Sequence, residues 1–125
     1  MTKNAAIQSF FSSFGLTAYP AVSVPTSGDE MPEFPYITYS VPTDQGIERT
    51  VGTASVWYRT ESWTGINAKV DEISREVGSG IVLACDEGGI IIRKSTPWAQ
   101  PIGDDIDNMI KRKILTFDFL FATTY

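Results

Sequence analysis

Histidine is absent from the 125 residues, and cysteine occurs once. The first absence removes the commonest general base, the usual partner of a serine or cysteine nucleophile, and the commonest metal ligand. The second leaves Cys85 with no intramolecular disulfide partner and no cluster for zinc, which is compatible with a reducing cytoplasm. Long apolar runs are missing too. Gln8, Ser9, Ser12 and Ser13 interrupt the segment after Ala5, Ala6 and Ile7, too soon for a signal peptide or a membrane span. Basic residues are outnumbered, ten against fifteen acidic, for a net charge of -5. Because nucleic-acid binding is driven largely by cations that neutralise phosphates, this balance argues against that class of partner. What is present is an ordinary globular composition, 42% hydrophobic and 20% charged, in a length that fits one domain over residues 1–125.

Ile7, Phe10, Phe11 and Phe14 recur at helical spacing, which predicts an amphipathic first helix, capped by Asn4 and stopped by Gly15. Residues 17–24 read as an edge strand, since Pro20 within it lacks an N–H and is tolerated mainly at an edge or bulge. The segment "PTSGDEMPE" reads as a mobile acidic loop that orders on assembly. "FPYITYSVP" alternates with Ile37, Tyr39 and Val41 on one face. Residues 47–59 read as a long strand with Val51, Thr53, Ser55 and Trp57 on one side and Ala54, Val56 and Tyr58 on the other. Trp63, Ile66, Val70, Ile73 and Val77 trace the stripe of a second helix, opened by Ser62 or Thr60 and closed by Gly78 and Gly80. "IVLAC" and "IIIRK" flank "DEGG" as a hairpin with a four-residue loop. "STPWAQP" reads as irregular because of its prolines, and "GDDID" as a continuation of that loop. Leu115, Phe117, Phe119 and Phe121 mark a long final strand. The order predicts an α/β fold of the α+β type, a mainly antiparallel sheet with two helices packed on one face.

Chemistry is hard to find. Cys85 ends an apolar strand beside Asp86 and Glu87 and reads as a small packed hydrophobe. Asp104, Asp105, Asp107 and Asn108 offer oxygen ligands, but without the glycine and distal glutamate of a calcium loop they read as a turn. No phosphate-cradling motif appears. The run Lys111, Arg112, Lys113 reads as solvation at the start of the last strand. Trp57, Trp63 and Trp98 fit packing better than base stacking. No cofactor or metal is implied. A small enzyme would need two carboxylates driven to different pKa values in one pocket, and a monomeric adaptor module is a third reading.

Two segments together, "FPYITYSVP" and "ASVWYRTESWTGINAKVDEI", resemble the tail-terminator and tail-completion proteins of siphophages. The shared pattern is an aromatic "FPY" strand, then a strand ending in Trp and an Arg-containing pair, then a helix opening on Ser-aromatic and closing on Asp-Glu-Ile. The resemblance covers the middle of the chain directly. It implies a non-catalytic virion protein, assembled in the host cytoplasm, that forms a homo-oligomeric ring, usually of six subunits. Such a ring docks on the last ring of the tail-tube protein, ends tube polymerisation and presents a surface to the head connector, with genomic DNA passing through unbound. Another head-tail connector subunit of the phage neck is the alternative. On this reading the candidates for lining the channel or meeting a partner are Asp29, Glu30, Glu33, Asp104, Asp105 and Asp107.

Overall fold

The stripe of large apolar groups near the N-terminus forms α1 (Lys3–Ser12), and Ala6, Ile7, Phe10, Phe11 and Phe14 are all buried. The cap is Thr2 rather than Asn4: the Thr2 hydroxyl accepts from the Ala5 amide at 3.2 Å. The helix starts one residue before Asn4, so Asn4 lies inside the first turn and Thr2 holds the position from which a side chain reaches a free N–H. This structure, a computed structural model, describes residues 1–25, 31–43 and 48–124. The acidic loop expected around 26–33 falls largely outside the described residues.

The remaining elements are β1 (Thr17–Pro20), a short 3-10 turn (Ala21–Ser23), β2 (Tyr36–Ser40), β3 (Glu48–Arg59), α2 (Thr64–Val77), β4 (Ile81–Cys85), β5 (Gly88–Gly103) and β6 (Ile110–Thr123). They form one six-stranded sheet in the order β1-β2-β3-β6-β5-β4. Only β1 and β2 pair in parallel; the other four pairings are antiparallel. Both helices pack on the same sheet face, as the sequence predicts. Among the described residues no helix is long and apolar enough to cross a membrane.

The covered face follows from strand alternation. Ile37 on β2, Ala54 and Val56 on β3, Ile90 and Ile92 on β5, and Leu115, Phe117, Phe119 and Phe121 on β6 are each no more than 2% exposed. Full burial of each large apolar side chain stabilises by about 1.5–3 kcal/mol before ordering entropy is deducted. Phe117 is the hub, with its ring edge-on to Phe10, Phe11 and Trp98 at centroid distances of 6.2, 5.6 and 5.0 Å. From α2 come Ile66, Val70, Ile73 and Val77, and Trp63 packs partly buried at the rim. The Lys69 ammonium donates to the Phe14 carbonyl at 2.7 Å, tying α2 to the segment that leaves α1.

Three expectations are corrected here. The first strand ends at Pro20, and the chain turns through Ala21–Ser23 instead of continuing to Val24. The β4–β5 loop has two residues rather than four, because Gly88, at φ 145°, already pairs with Cys85. Its two residues are anchored: the Asp86 amide donates to the Met1 carbonyl, the Lys3 amide to the Glu87 carboxylate, and the Thr124 amide to the Glu87 carbonyl. Third, "STPWAQP" lies within β5. A register shift between Lys94 and Ala99 absorbs the residues around Pro97. Beyond Ile92, β5 has no β4 partner, so a proline there removes no ladder bond from that open side.

Candidate functional face

The uncovered side of the sheet carries the side chains that the core does not use, and its composition changes along the strands. At one end the register aligns Tyr36, Trp57, Arg112 and Ile102 in one row across four strands. Tyr36 and Trp57 stack at 5.9 Å with 12° between planes, and the Arg112 guanidinium lies 4.5 Å from the Trp57 ring centroid. Hydrogen bonds fix both: Trp57 Nε1 donates to Thr38 Oγ1 and Arg112 Nε to Ser55 Oγ, each at 3.0 Å. Phe34 and Tyr19 extend the cluster, 5.2 and 6.2 Å from Tyr36. Tyr36 and Trp57 thus cover one face of each other, and Arg112 lies over the Trp57 ring.

In the middle of the face stand Thr38, Ser55, Thr53 and Thr116, all small and polar, with Ile114 opposite Ser55. At the far end Val82, Ile91, Leu120 and Arg49 form a second cross-strand row, with Arg93 and Asp118 directly beside it. The four arginines that lie on strands, Arg49, Arg59, Arg93 and Arg112, all project to this side, whereas the strand lysines Lys94, Lys111 and Lys113 take the parity of the covered side. Lys94 reaches Ser74 of α2 at 2.8 Å. Lys111 is buried, 5.6 Å from the Trp63 centroid, and donates to the Asn108 carbonyl. The expectation that Lys111 is a solvated strand end is therefore corrected: aromatic packing and a carbonyl take the place of water.

The candidate carboxylates do not converge. Asp29 and Glu30 lie outside the described residues. Glu33 is exposed on the approach to β2, and no described ion pair or hydrogen bond joins it to the other candidates. Asp104, Asp105 and Asp107 occupy the β5–β6 hairpin loop, where two of them build the turn. Asp104 accepts from the amides of Ile106 and Asp107 at 2.8 and 2.9 Å, and these bonds, that from Asp107 first, hold its carboxyl below the usual carboxylate range. Asp107 accepts from the Met109 amide and pairs with Arg59 at 3.1 Å. Asp105 is left exposed beside Ile106, which is 99% exposed. Among the described residues no group of three or more acidic or cysteine side chains is placed to hold a metal ion. Sequence reasoning assigned Trp57 to the face away from Ala54 and Val56 but missed its row, because the partner Arg112 is 55 positions along and only the β3–β6 register brings them together.

Burial raises the Tyr36 hydroxyl above its ordinary value of 10, partly opposed by the Arg112 charge. Burial lowers Arg112, with Tyr36 acting in the opposite direction. The neutral Tyr36 phenol is favoured in the folded state, so its contribution is fully present below pH 10 and is lost as pH rises through the folded value. In an ultraviolet titration of the folded protein, Tyr36→Phe is expected to remove one phenol that ionises above pH 10. If the step it removes lies at or below 10, the packed row is wrong.

No protein-family model, curated protein or solved structure is found to match the chain.

Proposed function

We propose that the chain is a non-catalytic virion subunit that forms a ring at the head-proximal end of a siphophage tail tube, ending tube growth and joining the tail to the head connector. The reading rests on the resemblance of its central segments. The observation that carries it in three dimensions is the sheet face opposite α1 and α2, which no helix covers among the described residues. Surface of this kind suits repeated contact between copies.

The non-catalytic reading is supported by what lines a cavity beside α1 and β2. That cavity, of about 410 Å³, is bounded by Asn4, Ile7, Pro20, Ala21, Val22, Tyr39, Ser40, Val41 and Thr43. Among the described residues that line it there is no carboxylate, thiol or amine side chain for acid-base or nucleophilic work. Passage of DNA without binding is consistent with the engagement of three of the four strand arginines on this face: Arg59 with Asp107, Arg49 with Asp118 at 3.6 Å, and Arg112 with Ser55.

Native mass spectrometry combined with electron microscopy of tubes polymerised from the cognate tube protein tests the proposal. The expected result is a closed cyclic oligomer seated on tube ends, with no duplex-DNA binding at physiological salt. A strict monomer that leaves tube ends bare, or submicromolar duplex binding at that salt, would rule it out.

A further inference from the structure

The β5–β6 hairpin ends in an apolar residue that nothing covers. Ile106 is 99% exposed, held at the tip by the two amide bonds to Asp104 and flanked by Asp105. Neither Asp105 nor Arg93 makes an ion pair among the described residues. At the opposite end of the same two strands lies a surface of complementary character. Val82, 70% exposed, Ile91 and Leu120 form an apolar row, Arg49 and Arg93 flank it, and Val51, 58% exposed, adjoins it. Arg49, Ile91, Arg93, Asp118 and Leu120 line a shallow cleft there.

The tip cannot reach this cleft in its own chain. Ile91 and Ile102 lie opposite Leu120 and Arg112, eight positions apart on β6, roughly 26 Å at 3.3 Å per residue. An acidic, apolar plug at one end and a basic, apolar socket at the other make the two surfaces complementary only between copies. We propose that Ile106 and Asp105 of one copy seat in the Val82, Ile91, Leu120 row of the next, with Asp105 facing Arg93. The contact joins two different patches: used head-to-tail it closes into a ring or runs on as a filament, whereas used reciprocally by two copies it makes a two-fold dimer, and the mass of the associated species separates the two. It is small for a stable pairwise interface, so association depends on concentration and gains from closure, when every copy uses both patches.

The contact gives the proposed ring its subunit junction, and closure, though not the contact itself, rests on that reading. The experiment measures association by sedimentation velocity over a wide concentration range, and tube capping by electron microscopy. It compares the parent with Ile106→Ser, Arg93→Glu, Asp105→Arg and the double variant Arg93→Glu/Asp105→Arg. All three sites are exposed, so thermal midpoints close to the parent's are expected. Each single variant is expected to need at least tenfold more protein to associate, and the double variant to recover most of that loss. Variants that associate and cap like the parent overturn the contact and leave the tail reading standing. A parent chain that neither associates nor caps overturns both. Duplex DNA bound by the parent and lost in Arg93→Glu assigns the face to nucleic acid and overturns the contact.

Discussion

Ile73→Asp is expected to lose about 3–5 kcal/mol of folding stability at neutral pH, enough to leave a domain of ordinary stability largely unfolded. Ile73 is 1% exposed in the middle of the α2 stripe, between Val70 and Val77. An aspartate there either keeps its charge without water or a cation, or takes up a proton. Protonation limits the penalty, so the deficit against the parent should shrink as pH falls toward 4. Ile73→Val removes one methylene from the same site and is expected to lose about 0.5–1.5 kcal/mol. Urea titrations of the three proteins at two pH values provide the check. Equal midpoints for parent and Ile73→Asp would remove α2 from the core.

Gly88→Val is expected to be comparably damaging for a different reason. Gly88 has φ 145°, and a Cβ built on it would lie 2.2 Å from the Ala122 carbonyl oxygen. Backbone in that region costs side-chain-bearing residues about 1–3 kcal/mol. The collision is with main chain, so no rotamer relieves it, and the end of the β5–β6 ladder must separate. Freed with it is the two-residue turn whose Glu87 receives the Lys3 amide at 3.0 Å. The N-terminal turn of α1 should therefore exchange its amides faster in this variant, measured by hydrogen exchange at several positions. Retention of parent stability and protection would show that the close approach is not a constraint.

The sequence was most legible where one period governed a whole element. Ile66, Val70, Ile73 and Val77 have only one helical face in common, and Phe117, Phe119 and Phe121 only one strand face, so the α+β class and the covered side of the sheet follow from spacing. It was least legible where a neighbour decides. "STPWAQP" reads as irregular because proline forfeits a donor, and it is a strand because the side that needs no donor has no neighbour. Gly88 and Gly89 read as loop because glycine favours turns, yet they pair with Cys85 and Ala84. Lys111 reads as solvated by its charge and is buried by Trp63, 48 positions earlier. The candidate carboxylates had the same weakness: acidity marked the β5–β6 loop, but only coordinates separate Asp104 and Asp107, which build the turn, from Asp105, which stands free.

β6 has a consequence for how the chain is made. It follows the other five strands of the sheet in chain order and yet lies in the interior, between β3 and β5. Without it, the pairings left to the other strands are β1 with β2, β2 with β3 and β4 with β5, and none of them joins the two groups. The phenylalanine ridge on which both helices settle is also absent. A nascent chain translated as far as Gly103 therefore holds two hydrophobic helix stripes and two half-sheets that cannot join. The sheet can therefore be completed only once β6 is available, and until then those stripes are exposed apolar surface of the kind that makes incomplete chains prone to aggregate.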